Sequence, residues 1–309
     1  MSEAAGMRIA VFTPLPCLDR YVSVSAQPCA GAKVLGRWAG EWCGGVAGNF
    51  AVAMAHLGAS VHTFGWAGDD SSSRRCVAAL AAANVNVDMI STRADVGVNR
   101  TVILVDPAGE RSVIVFPADR PSLPDETWQS ALARLRPNLC YFASWDAVAK
   151  ELAPTVKAAG GLVATTLEST ALETSSPEHV RLPSVDILFL SREAATLLGW
   201  STSSPAAVPA GWRQGPPVVV VTLGSAGAWY HMPLEGQSTY APVYHINPKD
   251  TTGAGDSFAA AFCFYWLHGE RNEALLARAN ASGALAALAL GPRSGLPTRH
   301  AIEDMVANQ

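Results

Sequence analysis

The chain has 309 residues, 49% of them hydrophobic and only 16% charged, a composition that favours a large buried core and excludes intrinsic disorder. Its net charge of −4 offers no basic excess to neutralise a phosphate backbone, so nucleic acid is not an expected partner. The six cysteines, Cys17, Cys29, Cys43, Cys76, Cys140 and Cys263, include no C-x-x-C pair. That spacing argues against zinc-knuckle or thioredoxin-type sites and fits a reducing, cytoplasmic setting.

The opening MSEAAGMRIAVF has no basic stretch ahead of an apolar one, so no signal peptide is expected. Arg8–Thr13 reads as a first buried strand stopped by Pro14. The segment from Asp19 to Trp42 carries few helix signals. Gly48–Leu57 is a small-residue helix closed by Gly58, Ser60–Trp66 a strand, and Ser71–Ala83 an Ala-rich helix. Arg100–Phe116 is two β-rich runs around Asp106-Pro107-Ala108-Gly109, a hairpin signal, with which the Asp19–Trp42 segment can pair. Asn138–Ala143, Leu162–Thr166, Val185–Leu190 and Val218–Thr222 follow as buried strands, with helix-like stretches between most of them. Ser201–Pro209 reads as a loop, and Gly253–His268, Arg271–Leu290 and Arg299–Val306 as helices. Alternating elements of this kind imply a mostly parallel sheet covered on both faces. The longest apolar run, Phe258–Leu267, is shorter than the roughly 20 residues of a membrane span, so no membrane partner is expected.

Several chemistries drop out. None of Lys33, Lys150, Lys157 and Lys249 follows a Gly, which excludes a Walker A loop. There is no H-E-x-x-H and no G-x-S-x-G. What remains is Asp250–Phe258, DTTGAGDSF, running from an extended stretch into a helix. Gly253, Ala254 and Gly255 would open that helix, where free amides and the positive end of the dipole make an anion site. Small residues there let a phosphate approach the backbone. Asp256 falls in the first turn, where a carboxylate can take a proton from an alcohol while the amides hold a transferred phosphoryl group. A bare GAGD is equally a Gly-rich turn whose Asp only stabilises the helix dipole.

The whole nonapeptide resembles the second signature of the ribokinase-like, or PfkB-type, carbohydrate kinases. Gly44-Gly45-Val46-Ala47-Gly48-Asn49, followed by LGASVHTFGWAGDD, resembles the N-terminal signature of that family, about 200 residues earlier. VVVTLGSAGAW resembles its nucleotide turn, and the GPRSGLP after a small-residue helix resembles its adenine-flanking and cation-closing segment.

The resemblance implies a three-layer α/β/α ribokinase-like fold with a mostly parallel central sheet and a small β lid. One kinase domain would span residues 1–309, its lid built from about 15–43 and 97–118. The implied reaction moves the γ-phosphoryl group of ATP to a hydroxyl, expected to be primary, of a small-molecule sugar. A nucleoside kinase and a non-catalytic sugar or nucleotide sensor are the alternatives; the intact Asp256 argues against a sensor.

Asp256 would be the base, with Gly253, Ala254 and Gly255 as the anion hole. Asp19, Gly44, Gly45 and Asn49 would read the acceptor, an ionised carboxylate suiting a vicinal diol. Thr222, Gly224, Gly227 and Asn280 would hold the nucleotide. Glu193 would bind Mg²⁺ through water, although Leu190 stands where the family often has Asn. Asp250, with carbonyls around Thr252, Ala286, Ala289 and Gly291, would form a K⁺ site. Lys33 and Arg100, in the lid segments, are candidates to meet an anionic group on the acceptor, and Glu168 a candidate contact near the phosphates. The resemblance also implies a homodimer through the lid.

Overall fold

Strand β1 (Arg8–Thr13) buries every residue after Arg8, because both of its faces are covered. Alternate side chains serve two cores: Ile9 and Val11 enter one, Ala10 and Phe12 the other. The same alternation recurs in β8 (Leu139–Phe142), β10 (Ile187–Ser191) and β11 (Val218–Thr222), as period-two geometry requires. The computed structural model describes residues 6–169, 172, 182–200 and 215–308. The Ser201–Pro209 loop expectation therefore lies outside the described residues.

Nine strands form the large sheet in the order β13-β12-β11-β10-β9-β8-β1-β4-β5. Its further members are β4 (Ser60–Ala67), β5 (Val85–Thr92), β9 (Leu162–Leu167), β12 (Ala228–Met232) and β13 (Gln237–Ala241). Pairing is parallel from β5 through to β11, and antiparallel from β11 to β12 and β12 to β13.

Helices α1 (Val46–His56), α6 (Ala254–Leu267) and α7 (Asn272–Ala286) cover one face, sharing a core around Phe50, Phe262 and Leu276. Helices α3 (Glu126–Leu135) and α4 (Ala147–Ala158) cover the other, around Trp128 and Leu152. The remaining helices are α2 (Ser71–Ala82), α5 (Arg192–Leu197) and α8 (Arg299–Ala307). Three layers of this kind are the expected α/β/α architecture. No helix among the described residues is long and apolar enough to cross a membrane.

A second sheet has four strands in the order β3-β2-β6-β7: β2 (Cys17–Val24), β3 (Gly36–Gly44), β6 (Asn99–Val105) and β7 (Arg111–Phe116). The chain leaves β1 at Thr13, enters β2 at Cys17, and returns to the body from Gly44 into α1. The small sheet is therefore hung from the carboxyl end of β1. In open α/β sheets, ligands bind in the crevice outside those strand ends.

Candidate active site

The extended chain before α6 turns at Gly253, which adopts φ +81. A Cβ there would lie 2.3 Å from the Pro292 carbonyl oxygen, so both conformation and space demand glycine. The Ala254 amide bonds the Thr251 carbonyl at 3.2 Å, and helical geometry leaves the next amides of the first turn without an intrahelical acceptor. At Gly255 a Cβ would meet no atom within 4 Å, because the space in front of it is the cleft. Behind the turn, the Ser257 and Ser282 hydroxyls meet at 2.8 Å and each bonds the other's carbonyl, locking α6 to α7.

Asp256 sits in the first turn of α6, on the cleft floor. Asn49 Nδ2 donates to its Oδ2 at 2.8 Å. Burial pushes the Asp256 carboxyl up to about 7, with the Glu168 charge adding and the Asn49 bond and Arg111 opposing. A carboxyl poised there can exchange a proton at neutral pH.

Asn49 reaches Asp256 because α1 packs directly on α6. Its Oδ1 accepts from Arg293 Nε at 3.0 Å, and Arg293 Nη2 donates to the Gly44 carbonyl at 2.8 Å. With only donors on the guanidinium, Arg293 fixes the Asn49 amide so that its NH₂ faces Asp256.

Asp19 lies in β2, at the root of the small sheet, and is almost fully buried. Its Oδ1 accepts from the Thr101 hydroxyl at 2.7 Å and from the Cys17 thiol at 3.3 Å. Its Oδ2 lies so near Gly44 that a Cβ on that residue would collide with it. Burial holds the Asp19 carboxyl above its ordinary range. Asp19 and Gly44 thus lie in contact, and Arg293 links Gly44 to Asn49.

Asp250 is fully buried and accepts the amides of Thr252 and Gly291 at 2.9 Å each, tying the turn before α6 to the loop after α7. The hydroxyl of Thr252 is buried without a partner among the described residues. Ala286 closes α7, and its carbonyl oxygen abuts Gly295; Ala289 is partly buried in the turn that follows.

On the other side, Thr222 ends β11, and Gly224 and Gly227 shape the short turn after it. Asn280 donates to the carbonyls of Ala241 and Pro242, at 3.2 and 2.9 Å, bracing the chain after β13. Glu193 opens α5 on the exposed side, while Leu190 is buried in the core and offers nothing to a ligand. Arg192 spends its guanidinium on the Leu223 carbonyl at 2.5 Å. Desolvation at the end of β9 raises the Glu168 carboxyl, Glu193 adds to the effect, and Arg111 opposes it.

Two residues escaped the sequence reading. Arg293 lies in the segment assigned to the adenine side, yet it bonds Asn49 and Gly44. Arg111 opens β7 and bonds the Thr251 hydroxyl, beside the anion turn, while the hairpin tip at Gly109 abuts Pro248. Arg111 is therefore a cation that the small sheet extends to the turn before α6. Lys33 stays exposed, and Arg100 faces Asp70 instead.

Comparison with known proteins agrees with this geometry. Residues 33–299 match the description "pfkB family carbohydrate kinase". The chain is 26% identical to the Bacillus subtilis ribokinase over 296 residues, covering 94% of this chain and 96% of that protein. It is 30% identical to the ATP-dependent ribose-1-phosphate kinase of Halopiger xanaduensis over 292 residues, covering 93% and 90%. Among solved structures, Arabidopsis thaliana ribokinase complexed with ribose and ATP superposes with a TM-score of 0.78 at 21% identity, covering 98% and 99%. A cleft built on the carboxyl ends of a parallel sheet, an anion turn at a helix start and a match over most of the length lead to one conclusion: the chain belongs to the pfkB family of carbohydrate kinases.

Proposed function

We propose that this enzyme transfers the γ-phosphoryl group of ATP to a primary hydroxyl of a sugar, with Asp256 as the general base. The observation that carries the reading is the position of Asp256: one residue beyond the open face of Gly255, facing the acceptor side through Asn49. Asp256 takes the hydroxyl proton on its carboxylate. The amides of the Gly253–Gly255 turn stabilise charge on the moving phosphoryl group, and Arg111 stands beside that turn to add to them. Asp19 Oδ2, Asn49 and the backbone of Gly44 and Gly45 orient the acceptor. Thr222, Gly224, Gly227 and Asn280 line the nucleotide side.

Glu193 and the neighbouring Glu168 fit Mg²⁺ held through water, since burial and the nearby Glu193 charge raise the Glu168 carboxyl without a cation beside it. Mg²⁺ there would neutralise developing phosphate charge. The fully buried Asp250 carboxylate receives two amides, with the Tyr21 and Thr252 hydroxyls beside it, which suits a monovalent cation held with carbonyls around Ala286, Ala289 and Gly291. The small sheet would act as the lid of a single kinase unit. All six cysteines are free, which supports a cytoplasmic setting.

The test is acceptor-dependent ADP release across pentoses, hexoses, sugar phosphates and nucleosides. A sugar should give the highest kcat/KM. A nucleoside winning the panel would make the enzyme a nucleoside kinase, and no acceptor-dependent turnover with any compound would overturn the reading.

A further inference from the structure

Arg293 is an enclosed cation without a carboxylate partner. Two of its three nitrogens bond neutral groups, Asn49 and the Gly44 carbonyl, and Nη1 is buried with no acceptor among the described residues. A charge in such a place needs a counterion or loses much stability. The groups whose negative charge would favour it are, in order, Cys43, Cys76, Asp19 and Cys17. Asp19 already accepts from Thr101 and Cys17, and burial drives the Cys17 thiol far above its usual range. Cys43 stands first in that order.

Cys43 is the penultimate residue of β3, half-buried, and packs against Cys76 of α2, Leu18 and Val98. Contact between the two thiols lowers Cys43 and raises Cys76, with Arg293 and Arg75 assisting at Cys43 against burial and the Asp19 charge. Glu41 neutralises part of the local field through its ion pairs with Arg20 and Arg75. A surface pocket of about 350 Å³ has Cys43, Arg293, Arg75 and His56 among its lining residues. Thiolate character, access and a second thiol in contact are the features of an oxidant-sensitive cysteine.

We propose that Cys43 and Cys76 form a peroxide-sensitive dithiol whose disulfide ties β3 of the small sheet to α2 and switches the enzyme off. The Cys43 thiolate attacks one oxygen of hydrogen peroxide. An S–O bond forms, the O–O bond breaks, and the departing hydroxide leaves as water after taking a proton. The sulfur is now a sulfenic acid, oxidised by two electrons. The Cys76 sulfur then attacks it, the S–O bond breaks, and a second water leaves with the Cys76 proton. Two thiols and one peroxide give one disulfide and two waters.

The disulfide carries no charge, so Arg293 loses its counterion, and the end of β3 is drawn toward α2. Gly44 and Asn49, which Arg293 holds, stand on the acceptor side, so acceptor binding and turnover fall. Loss of turnover rests on the kinase reading above; formation of the disulfide does not.

The experiment treats the full chain with hydrogen peroxide and follows free thiols, cross-linked peptides by mass spectrometry, and kinase rate. The expected result is a Cys43–Cys76 peptide two hydrogens lighter than the thiol pair. The rate should fall by up to about 100-fold, the scale of a roughly 1 Å misplacement of reacting groups, with recovery in dithiothreitol. Cys76→Ser should give no cross-link and a Cys43 sulfenic acid trapped by dimedone. Cys29→Ser, which removes an exposed thiol, should respond like the wild type. If both Cys43 and Cys76 are still alkylated after Cys29 is consumed, the site is wrong. If the cross-link forms and the rate holds, the switch is wrong. If Cys76→Ser loses rate as the wild type does, the disulfide is not the cause. If no substrate turns over, the mass result still stands and the failure lies with the kinase reading.

Discussion

At the scale of single residues, the site turns on a carboxyl that burial has pushed from 3.8 to about 7. As the proposed base, Asp256 must be ionised to work, so kcat/KM should rise with pH through about 7 and level off above it. Asp256→Asn should leave ATP binding in place and lower kcat by roughly 10²–10⁴. A variant with near-normal kcat would remove Asp256 from the chemistry. The same shift has a stability consequence of opposite sign. Between pH 3.8 and about 7 the folded protein holds a proton that the unfolded chain releases, so stability falls as pH rises through that window. Asp256→Asn removes this penalty, so its Tm should exceed that of the wild type at pH 8 and lose that advantage near pH 4. The proposed role of Asp19 is on the other substrate. Its Oδ1 is occupied by Thr101 and Cys17, while Oδ2 is turned toward Gly44 and the acceptor side. Asp19→Ala should cost about 1.5–3 kcal/mol of acceptor binding, as expected for a lost hydrogen bond to a charged group. Acceptor KM should rise with little change in KM for ATP, and the reverse pattern would mean that the two sides of the cleft are exchanged.

At the scale of elements, the turn before α6 separates two uses of glycine. Gly253 sits at φ +81 with the Pro292 carbonyl where a side chain would go, whereas Gly255 faces open space. Gly253→Ala should therefore lower Tm, and Gly255→Val should fold normally yet lose turnover. Removing one donor of an anion hole costs about 10²–10³ in kcat, and a valine that excludes the phosphate should cost at least as much. Equal turnover in a folded Gly255→Val would place the phosphate elsewhere. This turn was legible in the sequence because its chemistry dictates residue type at consecutive positions. The buried strands were legible for a similar reason: β1 and β11 are apolar runs, covered on both faces. Strands β5 and β13 were not, because Asn86, Asp88 and Ser91, or Gln237, Ser238 and Thr239, mask the apolar signal at the sheet edges. Arg293 was out of reach for a different reason: it and Asn49 lie 244 residues apart, and no local spacing encodes their bond. The β6–β7 hairpin was readable, but its docking against Pro248, which carries Arg111 to Thr251, is a tertiary fact.

At the scale of the whole molecule, the small sheet has an unresolved tension in its own outer strand. β7 lies at the edge of the four-stranded sheet, and all six of its residues are exposed. Val113, Ile114, Val115 and Phe116 form an uninterrupted apolar run on a strand with one unpaired side. Natural edges are usually shielded by charge, proline or a covering element, and a short run of high β-propensity without these is an aggregation hazard. In the body, by contrast, the apolar strands are enclosed by helices. A second copy pairing through the small sheets would cover the run and join two lids across one interface, as closed twofold assemblies do. The dimer implied by the family resemblance thus has a physical motive in these four residues. Ile114→Lys places a charge in the middle of the run, on an exposed residue that belongs to neither core of the large sheet. It should convert a dimer into a well-folded monomer on size-exclusion chromatography with light scattering, without lowering Tm by more than about 0.5 kcal/mol equivalent, the usual range for an exposed site. A wild-type chain that elutes as a monomer at the same concentration, or an Ile114→Lys variant that stays dimeric, would show that this edge is covered by something other than a second copy.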